Sequence, residues 1–212
     1  MAEKKILLLG GGGHCRSVLD CLLSLEQYDQ IGIVDYDDTA CTLGVRVVGV
    51  DEDLPRLLQE GWTEAFVTVG SVGSTDLRHR LFSTVLDLGF LLPSIVDPSA
   101  ILARGVTLSP GAFVGKRAVI NTDCSIGTGA IINTGAILEH DCSIGDFVHI
   151  SPGAVLCGQA TVGNDSHIGA ASVVRQGIRI GSGVLIGAGS VVVKDIPDYA
   201  KAYGNPCRVV KS

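Results

Sequence analysis

Aliphatic residues recur at every sixth position from Val96 to Val192: Val96, Leu102, Leu108, Val114, Ile120, Ile126, Ile132, Leu138, Ile144, Ile150, Leu156, Val162, Ile168, Val174, Ile180, Ile186 and Val192. The residue two places earlier is nearly always small, as at Ala112, Ala118, Cys124, Ala130, Cys142, Ala160 and Ser172. Glycine often follows the aliphatic residue, as at Gly115, Gly127, Gly145, Gly163, Gly169, Gly181 and Gly187. A helix of about 3.6 residues per turn drifts off a strict period of six. A strand of about three or four residues followed by a turn holds it. Three such sides make one coil of about eighteen residues, so the pattern predicts a triangular parallel β-solenoid of roughly five to six stacked coils. The aliphatic rows become interior columns, the small residues sit where the interior narrows, and the glycines are expected to relieve backbone strain at the bends.

Upstream of about residue 93 the pattern changes. Lys4 to Leu9 reads as a buried strand, Gly10 to Gly13 as a turn and His14 to Leu25 as a helix. Strands over Ile31 to Val34 and Ala65 to Val69, and helices over Leu54 to Glu60 and Thr75 to Gly89, continue the alternation. This predicts a small Rossmann-like β-α-β domain over 1–92, with a parallel sheet, ahead of an all-β solenoid domain over 93–212. The glycine turn then stands at the carboxyl end of the first strand, where backbone N–H groups and a helix N-terminus favour phosphate. Gly12, Gly13 and His14 are the candidate cradle, with Asp35 after the second strand and Gly70 after the third. Cys15 occupies the place of the third glycine of a dinucleotide fingerprint, so the turn suits a nucleotide-linked sugar better than NAD.

A net charge of −6 without a basic block argues against nucleic acid as a partner. No apolar stretch approaches membrane length, and the segment Met1 to Leu9 is too charged and too short in its apolar part for a secretory leader. Seven cysteines, an odd number without metal-ligand spacing, predict reduced thiols and a cytoplasmic setting. Cys124 and Cys142 fall in the small-residue columns and read as core, as do Cys15, Cys21 and Cys41 in the first domain.

Three histidines lie on the solenoid. His149 and His167 are eighteen residues apart and should stack on one face of neighbouring coils, about 4.8 Å apart. His140 is half a coil from His149, on another side, and is flanked by Glu139 and Asp141. A carboxylate beside an imidazole can fix its tautomer and favours its protonated form, which suits a general base.

The Gly-His turn, Asp35, and the solenoid segment Glu139-His140-Asp141-Cys142-Ser143-Ile144-Gly145 together resemble the hexapeptide-repeat sugar acetyltransferases, the group of the bacillosamine and perosamine N-acetyltransferases and the sialic acid O-acetyltransferase. The resemblance runs from Ile6 to the Gly204-Asn205-Pro206 tail and implies a left-handed coil. It implies that His140 is the base and that Asp141 supports it. It implies that His149 contacts acetyl-CoA, that the Gly158 N–H faces the thioester oxygen, and that Ala170 and Ala188 lie along the CoA arm. Gly12, Gly13, His14 and Asp35 would hold the nucleotide sugar. Many relatives carry Glu where Asp141 stands, and Ala where Cys207 follows Pro206; neither change removes a reactive group.

The expected reaction is acetyl transfer from acetyl-CoA to the free amine of a nucleotide-linked amino sugar, by direct attack and without metal or acyl-enzyme. A UDP-4-amino-4,6-dideoxy sugar is the favoured acceptor, with GDP-perosamine and sialic acid hydroxyls as alternatives. One convex wall cannot enclose CoA, so a homotrimer is expected to supply the cleft. Arg175, Arg179, Lys194 and Arg208 are candidates for the CoA phosphates. The competing readings are a zinc carbonic anhydrase, which needs three convergent histidines, and a non-catalytic sugar-nucleotide-binding scaffold.

Overall fold

The computed structural model describes residues 3–37 and 42–210, so Cys41 lies outside the described residues. The chain divides into two compact units, Met1–Ser71 with Asp76–Pro98, and Val72–Thr75 with Ser99–Ser212.

The first unit is built on four parallel strands: β1 (Lys5–Leu9), β2 (Gln30–Val34), β3 (Val47–Gly49) and β4 (Glu64–Val67), in the order β3-β2-β1-β4. Helix α1 (Gly13–Leu25) follows β1, α2 (Leu54–Gln59) follows β3 and α3 (Asp76–Asp87) follows β4, while among the described residues β2 leads to β3 without a helix. Ile6, Leu7, Leu8 and Leu9 are all fully buried, as a central parallel strand covered on both faces requires. β3 is absent from the sequence reading: three half-buried residues at the sheet edge are too short for periodicity to reveal. β4 ends at Val67 rather than Val69, and Thr68 beyond it still donates its N–H to the Leu9 carbonyl at the end of β1, at 2.9 Å. There Thr68 Oγ1 donates to the Leu9 and Gly10 carbonyls at 2.8 and 2.6 Å. The sheet order reverses direction between β1 and β4, which makes the carboxyl ends of these strands a topological switch point.

The second unit is a left-handed parallel β-helix. Each residue pairs with the one eighteen further on, as in Ser125 with Ser143, Ile137 with Val155, and His149 with His167. Strands of two residues form three faces. The first runs from Ile101–Leu102 to Val191–Val192, the second from Thr107–Leu108 to Arg179–Ile180, and the third from Phe113–Val114 to Leu185–Ile186. Every aliphatic residue of the six-residue series from Val114 onward is buried; Val96, Leu102 and Leu108 at the open end are half-buried. The strand Lys201–Tyr203 extends the third face and pairs antiparallel with Arg208–Val210.

Strain at the bends is relieved at a different position from the one expected. From Gly105 to Gly189 every sixth residue has positive φ, and it stands three places after the inward aliphatic residue. The glycine that directly follows the aliphatic residue has another task. A Cβ on Gly163 would lie 2.6 Å from the Ser182 nitrogen, and one on Gly169 would lie 2.5 Å from the Ala188 nitrogen. That glycine is there because the next coil passes too close for any side chain.

The outward strand positions differ sharply between faces. On the first face they are Ile101, Val119, Ile137, Val155, Val173 and Val191, a continuous aliphatic row. On the second they are Thr107, Ser125, Ser143, Thr161 and Arg179.

Candidate active site

His140 sits in the turn between the first face, at Ile137–Leu138, and the second, at Ser143–Ile144. Asp141 is the positive-φ residue of that turn, with φ of 60°, and its backbone N–H donates to the Thr122 carbonyl at 3.0 Å. This left-handed bend turns the carboxylate back onto its neighbour, and His140 Nδ1 lies 2.8 Å from Asp141 Oδ2. A neutral ring that donates from Nδ1 keeps the Nε2 lone pair available. Glu139, the other acidic flank, is engaged elsewhere: it accepts from Asn121 Nδ2 at 3.0 Å, one coil below.

Gly158 is one coil above His140. A Cβ there would lie 2.5 Å from His140 Nε2 and 2.6 Å from Cε1, so the imidazole occupies the space that a side chain at 158 would take. The Gly158 carbonyl accepts from Gly177 N–H at 3.0 Å, while the Gln159 N–H donates to the His140 carbonyl at 2.9 Å. Asp141, His140 and Gly158 therefore form one constellation: an oriented imidazole, half-exposed, with its acceptor nitrogen beside a glycine backbone.

His149 and His167 lie elsewhere, on the third face, with ring centroids 4.9 Å apart and planes at 89°. Asn133 Nδ2 lies 3.1 Å from His149 Nε2, and Ser151 Oγ lies 3.2 Å from His167 Nε2. Sequence reasoning missed both partners. The signal was available, because each polar residue stands sixteen positions before its histidine, immediately after an inward aliphatic residue. The two histidines line an open, mainly apolar concavity of about 430 Å³ with Pro152, Ala170, Leu185, Ala188 and Val72. The structure thus brings together His149, Ala170 and Ala188, and leaves His140 and Gly158 on the other side of the first face.

In the first unit, the glycine turn, Asp35 and Gly70 gather at the strand ends. Asp35 Oδ2 accepts from Gly11 N–H at 2.5 Å and Oδ1 from Asp37 N–H at 2.9 Å. A Cβ on Gly70 would lie 3.7 Å from the Cβ of His14, so these two predicted residues are neighbours. The glycines of the turn answer to different demands. Gly12 is the helix N-cap with φ of −72°, Gly13 opens α1, and a Cβ on either would meet nothing within 4 Å. Neither is strained. The glycine that the backbone demands is Gly10, with φ of 101° and a hypothetical Cβ 2.7 Å from Val69 Cγ2. Beside it is a recess of about 190 Å³ whose lining adds Asp51 and Arg80, two residues that sequence spacing gave no reason to select.

The candidate phosphate cations are all exposed. Arg179 shares a groove with Asp195 and Asp198, which makes it a poor receiver of phosphate. Cys124 and Cys142 are buried, and burial pushes the Cys142 thiol up to about 12. Among the described residues, no three His, Cys, Asp or Glu side chains form a metal-binding group. No helix among them is long and apolar enough to cross a membrane.

Comparison with known proteins matches residues 5–85 to the PglD N-terminal domain, and residues 141–176 and 159–194 to the bacterial transferase hexapeptide (six repeats). No curated protein matches. Among solved structures, a histidine-to-alanine mutant of GDP-perosamine N-acetyl transferase from Caulobacter crescentus, in complex with CoA and GDP-perosamine, superposes with a TM-score of 0.93 at 37% identity, covering 100% of this chain and 99% of that one. PerB from the same organism, also with CoA and GDP-perosamine, gives 0.92 at 38%, with 99% of each chain covered. The acetyltransferase domain of PglB from Neisseria gonorrhoeae FA1090, in complex with acetyl coenzyme A, gives 0.92 at 33%, covering 99% of this chain and 100% of that one.

Proposed function

The chain belongs to the PglD-type, hexapeptide-repeat sugar N-acetyltransferases, which use acetyl-CoA, and on that premise we propose that it acetylates the amine of a nucleotide-linked 4-amino-4,6-dideoxy sugar with His140 as general base. The observation that carries this is the Asp141–His140–Gly158 constellation. Asp141 holds the ring through Nδ1 at 2.8 Å, and Nε2 points to the space beside the Gly158 backbone. As the sugar nitrogen bonds to the thioester carbonyl carbon, Nε2 accepts the proton that the nitrogen sheds. The Gly158 N–H stabilises the oxygen that becomes negative. The C–S bond then breaks, the imidazolium returns its proton to the departing sulfur, and the products are the N-acetyl sugar and free CoA. No side-chain nucleophile takes part.

The apolar concavity with His149, Ala170 and Ala188 is the proposed seat of the CoA arm. It lies beyond one edge of the first face, and His140 lies beyond the other. A second copy of the chain brings the two edges together. The aliphatic row between them, from Ile101 to Val191, is the kind of surface that a partner covers. A cyclic trimer closes such a heterologous contact and yields three equivalent sites. The glycine turn at the start of α1, with His14, Asp35 and Gly70, receives the diphosphate and sugar hydroxyls. The N-acetyl transferase relatives named for GDP-perosamine, at 37–38% identity, bring a GDP-linked acceptor forward beside the UDP-linked one expected from sequence.

The test is turnover of acetyl-CoA with GDP- and UDP-linked 4-amino sugars, followed by release of the CoA thiol. His140→Ala should lower kcat by about 10²–10⁴-fold. Mixing His140→Ala with an Ala170→Trp variant, each inactive alone, should restore partial activity through shared sites. Near-normal turnover by His140→Ala would refute the base, and an active monomer in light scattering would refute the shared cleft.

A further inference from the structure

Resting on the nucleotide-sugar reading above, we propose that the recess at the carboxyl ends of the first unit's sheet receives a guanine base, read by the Asp51 carboxylate and the Arg80 guanidinium. At about 190 Å³ the recess is smaller than the roughly 300–1,000 Å³ of a site for a whole drug-sized ligand, so it takes one moiety. Its walls are aliphatic, from Val34, Val69, Leu77 and Leu81, and suit the faces of a planar ring. Its polar groups are few and specific. Asp35 accepts the Gly11 and Asp37 N–H groups and stands with the glycine turn, on the side assigned to the sugar hydroxyls. Asp53, not Asp51, accepts the local N–H of Val50, at 3.0 Å. Asp51 is the carboxylate of the recess left for the base. Burial and Glu52 push its carboxyl up, while Arg80, which lines the same recess, pulls it down.

A half-buried carboxylate and a guanidinium lining one recess select among bases. Guanine alone presents two adjacent donors, N1–H and N2–H, which one carboxylate accepts in parallel. Its O6 and N7 form the paired acceptors that a guanidinium favours. Uracil presents a single N–H between two carbonyl oxygens, which would face the carboxylate. Adenine would bring a ring-nitrogen lone pair against it.

The experiment is calorimetric titration of the full chain with GDP, IDP and UDP, with CoA as a control for the solenoid. GDP should bind at least about tenfold tighter than UDP. IDP, which lacks the 2-amino group, should bind about tenfold weaker than GDP. Asp51→Asn should remove the preference for GDP over IDP and leave UDP within about twofold; Arg80→Ala should weaken GDP while thermal melting stays cooperative. UDP binding as tightly as GDP, or an unchanged GDP preference in Asp51→Asn, overturns the guanine assignment and leaves the nucleotide-sugar reading standing. If none of the three diphosphates binds while CoA does, both readings fall.

Discussion

Replacing Gly158 with alanine tests the catalytic geometry without removing any reactive group. The alanine keeps its backbone N–H, so a proposed oxyanion donor survives the change. Its Cβ would stand 2.5 Å from His140 Nε2 and 2.6 Å from Cε1. Ordinary non-bonded contact begins near 3.5 Å, so the imidazole must retreat by about 1 Å. His140 is half-exposed and has room to do so. Gly158 is not at positive φ, so alanine there introduces no backbone strain. The loss of unfolded-state freedom even favours folding, by about 0.4–1 kcal/mol. Folding stability should therefore change by less than about 1 kcal/mol, or about 2–4 °C in Tm for a chain of this size. A base displaced by about 1 Å costs on the order of 10²-fold in rate. The prediction is a kcat loss of about a hundredfold at nearly constant Tm. Gly163→Ala provides the contrast. Its Cβ meets backbone of the next coil, the Ser182 nitrogen at 2.6 Å, which cannot swing aside. That variant should lose about 1–3 kcal/mol of stability. Gly158→Ala turning over within threefold of the parent, with an unchanged melt, would refute the placement of Nε2 as proton acceptor.

His149→Ala should raise KM for acetyl-CoA several-fold and leave KM for the sugar unchanged, because His149 lines the apolar concavity and not the turn of His140; the opposite split in initial-rate data would reverse the assignment. Gly10→Ala should destabilise the chain, as it combines positive φ with a 2.7 Å clash, whereas Gly13→Ala should leave the melt unchanged; equal melts for the two would contradict the strain assigned to Gly10. Thiol alkylation of the native protein at pH 8 should reach half-exposed Cys157 long before Cys142. With its thiol pushed up to about 12, Cys142 holds only about one part in 10⁴ as thiolate at that pH. Peptide mapping that finds Cys142 modified first would count against the described core.

The solenoid was legible because its geometry repeats. Each coil imposes the same inward position, so seventeen residues from Val96 to Val192 carry one signal. The same period placed His149 under His167, as the pairing of their strands bears out. What the period could not supply was the direction of a side chain within a turn. Glu139 and Asp141 flank His140 symmetrically in the sequence, yet only Asp141 meets the ring, because it holds the left-handed bend while Glu139 bonds to Asn121. The role of the glycines was misjudged for a related reason. Two glycine-rich positions recur in each side, and composition does not tell which of them answers to φ and which to the next coil's backbone. In the first unit the partners of a recess come from separated segments, Asp51 before α2 and Arg80 in α3, with no period to link them.

The positive-φ positions separate scaffold from chemistry more generally. Eight of the fifteen from Gly105 to Gly189 are glycine, and the other seven are Arg117, Asp123, Asp141, Phe147, Gln159, Asp165 and Ala171. A side chain in that conformation costs about 1–2 kcal/mol relative to glycine, less for aspartate, whose short polar chain bonds locally. Where a side chain stands there, it tends to hold something. Asp141 holds the His140 ring. Asp165 accepts from Thr75 Oγ1 at 2.7 Å, tying the segment Val72–Thr75 to the solenoid, and that segment places Val72 in the wall of the concavity shared by His149 and Ala170. A fold whose interior repeats leaves its corners as the places where one coil can differ from the next, so the residues that break the glycine rule are the first places to look for a coil's specific task.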